Sequence, residues 1–154
     1  VMILLLQFPF QFTKSYLYYP NPFQFVTGQE SVEAYEAFFD SKTIRNPIVA
    51  SFITHNTTPS DTVFIWGNSP QIYAIAQRQP ATQYTVDYHI LQNATTMKQT
   101  KQSLAQQKPK YIIVLDDAPP LPFALSHYIM RFSIPSFTRV NQSVPGATIY
   151  ERSL

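Results

Sequence analysis

Cysteine is absent from the 154 residues, which excludes a disulfide framework, a thiol nucleophile and a thiolate zinc site. Glycine is scarce as well. Only Gly28, Gly67 and Gly146 occur, so neither a G-x-G-x-x-G turn nor a Walker loop can be written. Charged residues make up 13% of the chain, against roughly 25% in typical soluble domains. The net charge of +2 is small, and the basic residues form no stripe with interleaved aromatics, so nucleic acid is not an expected partner. Long hydrophobic runs are missing too. The opening apolar run breaks at Gln7, far short of the about 20 residues that span a bilayer, and it lacks the marks of a secretory signal.

Aromatic residues are plentiful instead: ten Tyr and twelve Phe bring the aromatic share to 15%. Two readings stand side by side, a tyrosine-rich core and surface, or a surface that meets a membrane interface or a protein layer. The length suits one domain that buries roughly 70% of its unfolded surface. Asn-x-Ser/Thr sequons at Asn56, Asn93 and Asn141 permit an extracytoplasmic address without arguing for it.

Along the chain, residues 1–28 read as the stump of a membrane helix followed by an aromatic connector, with an edge strand or a short buried segment as the alternative for the first residues. Pro20 and Pro22 predict an irregular path there. Residues 29–154 read as a single α/β domain. Val32, Tyr35, Phe38 and Phe39 recur at helical spacing, and Asn46 followed by Pro47 predicts the start of a second helix. Thr62-Val63-Phe64-Ile65-Trp66 and Tyr111-Ile112-Ile113-Val114-Leu115 are continuous apolar strings of strand length, the mark of strands buried on both faces. Ser69 and Pro70 predict a helix start, residues 82–91 alternate as a half-exposed strand, and residues 93–107 form a polar helix with Met97 and Leu104 inward. Residues 123–132 are expected to be helical. Strands near 138–141 and 147–151 are expected to pair as an edge hairpin. The fold class is α/β: three layers, a mostly parallel sheet with helices on both faces, and an antiparallel C-terminal edge hairpin.

In such sheets ligands bind beyond the carboxyl ends of the parallel strands. That rule selects Trp66, Gly67, Asn68 and Ser69 after one strand, with Tyr73 and Arg78 on the following helix and turn, and Asp116 and Asp117 after the other. The glycine allows a tight turn and a helix start offers free N–H groups. Caps and turns are the competing reading for all of them. His55, His89 and His127 stand far apart without partners at metal-ligand spacing. No triad or dyad is legible, so catalytic residues, metals and cofactors are not expected. A small hydrolase is disfavoured for want of a nucleophile–base pair.

The stretch Asp61-Thr62-Val63-Phe64-Ile65-Trp66-Gly67-Asn68, with Ile72-Tyr73, residues 78–84 from Arg78 to Tyr84, Tyr18-Tyr19-Pro20 and Ile149-Tyr150-Glu151-Arg152, resembles the C-terminal domain of bacterial multi-spanning membrane glycosyltransferases. These are similar to dolichyl-phosphate-mannose–protein mannosyltransferases. The resemblance implies a parent enzyme using a polyprenyl-phosphate sugar, with its acidic catalytic residues outside this chain. It implies a non-catalytic domain on the extracytoplasmic side of the cell membrane, aiding acceptor recognition or capping the active site. Its partners would be the transmembrane part of the same polypeptide, the membrane surface, and a glycan, lipid or protein acceptor. The alternative is a free-standing domain that binds a sugar or another small molecule.

Overall fold

In a computed structural model, residues 20–40, 42–139 and 142–153 are described. The two apolar strings are neighbouring parallel strands, β1 (Thr62–Trp66) and β3 (Tyr111–Leu115), in register from Val63 opposite Tyr111 to Trp66 opposite Val114. They are the centre of a five-stranded sheet ordered β2-β1-β3-β7-β4. The two-residue β2 (Gln79–Pro80) is parallel to β1, while β7 (Ala147–Arg152) lies antiparallel to both β3 and β4 (Tyr128–Ile134). The fold is a mixed, three-layer α/β domain with an antiparallel C-terminal edge.

Alternation along the strands divides the core in two. Val63, Ile65, Ile113, Leu115 and Ile149 face α3 (Lys42–Asn56) and α4 (Gln71–Ala76), where they meet Val49, Ile53, Ile72 and Tyr73. Phe64, Trp66 and Ile112 face the opposite layer, built from Ile90 of the short helix α5 (Asp87–Ile90), Met97 and Leu104 of α6 (Ala94–Gln107), and Phe123 and Leu125. Helix α6 starts on a capping box, with Asn93 accepting from the Thr96 N–H and the Thr96 hydroxyl accepting from the Asn93 N–H. It ends where Lys108 takes a left-handed conformation.

Several elements depart from expectation, each for a local reason. Residues 20–26 form a helix, α1 (Pro20–Val26), followed by α2 (Val32–Phe39). Both prolines fall in the first turn of α1, where the missing N–H groups have no helical acceptor to lose. The earlier part of the expected connector and the apolar start, residues 1–19, lie outside the described residues. Helix α3 begins before Asn46: the Asp40 carboxylate accepts from the Lys42 N–H, and Pro47 is accommodated inside the helix.

Residues 82–91 do not form a strand. Past β2, the outer edge of β1 is already occupied, because the Ile65 N–H donates to the Tyr73 hydroxyl and the Asp87 N–H donates to the Gly67 carbonyl. The expected helix at 123–132 is instead a loop leading into β4, which pairs with β7 and forms the sheet edge. The C-terminal edge is therefore β4 with β7, and Phe137–Arg139 (β5) pairs with Gln142–Val144 (β6) as a separate small hairpin. Among the described residues, no helix is long and apolar enough to cross a membrane.

Candidate functional site

The parallel strand ends do converge, but the space between them is filled from within. Arg45 of α3 is wholly buried there. Its guanidinium donates to Asp117 Oδ1 at 2.5 Å, to the Ser69 hydroxyl at 2.7 Å and to Asn46 Oδ1 at 3.2 Å. Lys42 reaches the other oxygen of Asp117 at 3.2 Å. Burial pushes the Asp117 carboxyl up, but hydrogen bonding and charge from Arg45, then from Lys42, outweigh it and hold the carboxyl below its ordinary value. Ser69 thus serves Arg45, and the Pro70 N-cap position of α4 has no side-chain cap. Asn46, expected as an N-cap, is buried beneath the guanidinium, with its Nδ2 unpaired among the described groups.

The remaining candidates scatter. Trp66 is buried and donates its indole N–H to the Pro119 carbonyl at 2.6 Å. Gly67 is buried at φ +140° against the Leu115 side chain. Asn68 is exposed. Tyr73 supports the β1 edge, and burial pushes its hydroxyl far up. Asp116 is exposed and accepts from the Ser136 hydroxyl at 3.3 Å. Arg78 lies elsewhere: it donates to Thr57 Oγ1 and to the Thr54 and Thr57 carbonyls, satisfying the C-terminal carbonyls of α3. The structure joins Ser69 and Asp117 through Arg45, a residue that the sequence pattern does not single out.

An open concavity lies nearer the other end of the sheet, with a volume of about 740 Å³. One wall is α6, through Lys101, Leu104 and Ala105, with Lys108 at the helix end. The facing wall is the loop before β4, through Phe123, Leu125 and His127, and Ile112 of β3 contributes to the lining between them. Arg152 and Ser153, at the end of β7, close the groove. Lys101 Nζ sits 5.8 Å from the centre of the Phe123 ring. Burial pushes the Tyr128 hydroxyl up, with the Arg152 charge opposing, while that hydroxyl donates to the Pro109 carbonyl. Among the described residues no carboxylate lines this groove. Three cations around an apolar floor can hold an anionic group on a hydrophobic body; among the described residues of the lining no serine hydroxyl is hydrogen-bonded to the His127 ring. Among the described residues no group of three His, Asp or Glu side chains is placed to hold a metal.

Fold and groove together define a small three-layer α/β domain with an open, cation-rimmed concavity. Residues 45–131, more than half of the chain, match the family model Ccs4_C, described as "Putative competence-induced protein Ccs4 C-terminal domain". The chain belongs to that family. The match overturns the glycosyltransferase resemblance, and with it the polyprenyl-phosphate donor and the protein-glycosylation role. The quoted motifs have structural explanations. Residues 62–66 build β1, Gly67 turns at positive φ, and Arg78 caps α3. No curated protein and no solved structure matches the chain.

Proposed function

We propose that this domain is a non-catalytic recognition module that binds a ligand carrying an anionic group on an apolar body, and that the α6–β4 groove is its site. The observation that supports this most is the ring of Lys101, Lys108 and Arg152 around Leu104, Ile112 and Leu125, with no carboxylate in the lining among the described residues. Unneutralised cations over apolar surface bind a matching amphipathic anion through charge and area burial together. The strand-end crevice is a weaker candidate because Arg45 already fills it and Asp117 already neutralises it.

The reading is tested by thermal unfolding with octyl phosphate below its micellar concentration, with octanol as the neutral control. Saturation at about 100 times the dissociation constant adds about 2.7 kcal/mol, which raises Tm by about 5–10 °C in a domain of this size. The Lys101→Glu/Arg152→Glu variant is expected to unfold at nearly the wild-type temperature and to lose the shift. Absence of a shift in the wild type, or an equal shift in the variant, contradicts the proposal.

A further inference from the structure

The groove does not end at Lys101. A second depression of about 470 Å³ continues along α6, sharing Lys101 and Ala105 with the first and extending to Lys98, Met97 and Ala94. Its lining residues fall at helical spacing on a single face of α6. Ala94 and Ala105 are exposed there. Lys98, Lys101 and Lys108 therefore lie along two adjoining depressions that share Lys101 and Ala105. At 1.5 Å per residue, Lys98 and Lys108 are about 15 Å apart along the axis. An extended polypeptide covers that span in about five residues.

We infer that the occupant is an acidic peptide segment of a partner protein, lying along α6 with one aliphatic or aromatic side chain seated over Leu104, Ile112 and Leu125. The inference rests on the proposed binding function and names its partner. Charge complementarity supports it: among the described residues, both depressions are lined by lysines or arginine and by no carboxylate. Their joint length suits a chain better than a compact small molecule. A single-stranded nucleic acid fits less well, because binding of that kind needs free aromatic faces for stacking. Phe123 packs edge-on to Trp66 with Lys101 over its ring, and the hydroxyl of Tyr128 is tied to Pro109. The apolar floor is otherwise aliphatic, the surface that receives a peptide anchor side chain.

The test is selection from a displayed library of random dodecapeptides on the whole chain, followed by fluorescence anisotropy of the selected peptides. Selected sequences are expected to carry several Asp or Glu residues around a Leu or Phe. Binding should weaken at least tenfold in Lys98→Glu/Lys108→Glu and persist in Lys98→Arg/Lys108→Arg, with unfolding curves unchanged in both. Selection without acidic enrichment, or binding indifferent to the charge reversal, overturns the inference. A ten-nucleotide oligothymidylate that binds more tightly than every selected peptide overturns it as well. If octyl phosphate stabilises the domain through Lys101 and Arg152 while no peptide is selected, the peptide inference fails and the groove reading stands. If neither binds, both fail.

Discussion

Replacing Asp117 by alanine is expected to destabilise the domain by about 3 kcal/mol, whereas the same change at Asp116 stays within about 0.5 kcal/mol. The two residues are adjacent and chemically identical, so the contrast isolates environment. Asp117 neutralises Arg45, which has no exposed surface, and without it the guanidinium keeps, among the described residues, the neutral oxygens of Ser69 and Asn46. Removing one partner of a buried pair leaves an uncompensated charge, at about 3–5 kcal/mol. The lower end applies because the Asp117 side chain keeps 24% of its own exposure, which gives water a path in. Asp116 accepts one long bond from Ser136 at the surface, and its structural contact is a backbone bond from its N–H to Gly146 that alanine retains. Differential scanning calorimetry should place the Asp117→Ala midpoint about 6–12 °C below wild type. The pair also predicts a pH dependence. A depressed folded-state pKa contributes stability above the ordinary value of 3.8 that is lost as pH falls below it. Asp61 is depressed too, chiefly by the Thr58 backbone N–H, so Asp117→Ala should flatten the acid limb without abolishing it.

Gly146→Ala is expected to cost about 3 kcal/mol or more, the upper end of the range for overpacking. A Cβ at this position would meet the Ile134 carbonyl oxygen, the Asp116 carboxylate and the backbone of Pro135. Two of those neighbours are backbone atoms at the end of β4 and cannot rotate away. The residue is also held in place, since its N–H donates to Ser136 at 3.0 Å and its carbonyl accepts from Asp116 at 3.1 Å. Any adjustment must separate the start of β7 from β4. Gly28→Ala is the matched control. Its φ of +71° carries a left-handed penalty, but nothing lies within 4 Å of a Cβ there, so about 1 kcal/mol is expected. Urea unfolding of the two variants distinguishes the effects: a large fall in midpoint for Gly146→Ala and a small one for Gly28→Ala.

The legible parts of this fold are those whose signal is local. β1 and β3 are continuous apolar strings because both faces are covered, and α6 carries its own capping box at Asn93 and its inward Met97 and Leu104. The edge strands lack such a signal. β4 exposes Ile129, Met130 and Phe132, so no clean alternation marks it as a strand, and its pairing with β7 is a tertiary fact. Residues 82–91 alternate as a strand should, yet Tyr73 and Asp87 use the edge of β1 that such a strand would need.

The site was legible in the same uneven way. The rule of strand ends points to Ser69 and Asp117, which the structure joins through Arg45, but a helical arginine looks like a solvent-facing charge, and nothing in the spacing marks Arg45 as the group between them. The groove was hidden for a related reason. One of its walls is the loop before β4 and another end is Arg152, and both positions follow from strand order. The lysines of α6 become a groove lining only once that loop is set opposite the helix.

The central claim, that the groove and not the strand-end crevice is the ligand site, is tested most directly by a two-dimensional ¹⁵N–¹H NMR titration with octyl phosphate. The account predicts that the largest shift changes cluster at Lys101, Lys108, residues 123–128 and Ser153, while residues 66–69 and 116–117 stay unmoved. Changes centred on Asn68, Ser69 and Asp117, with α6 silent, would contradict it.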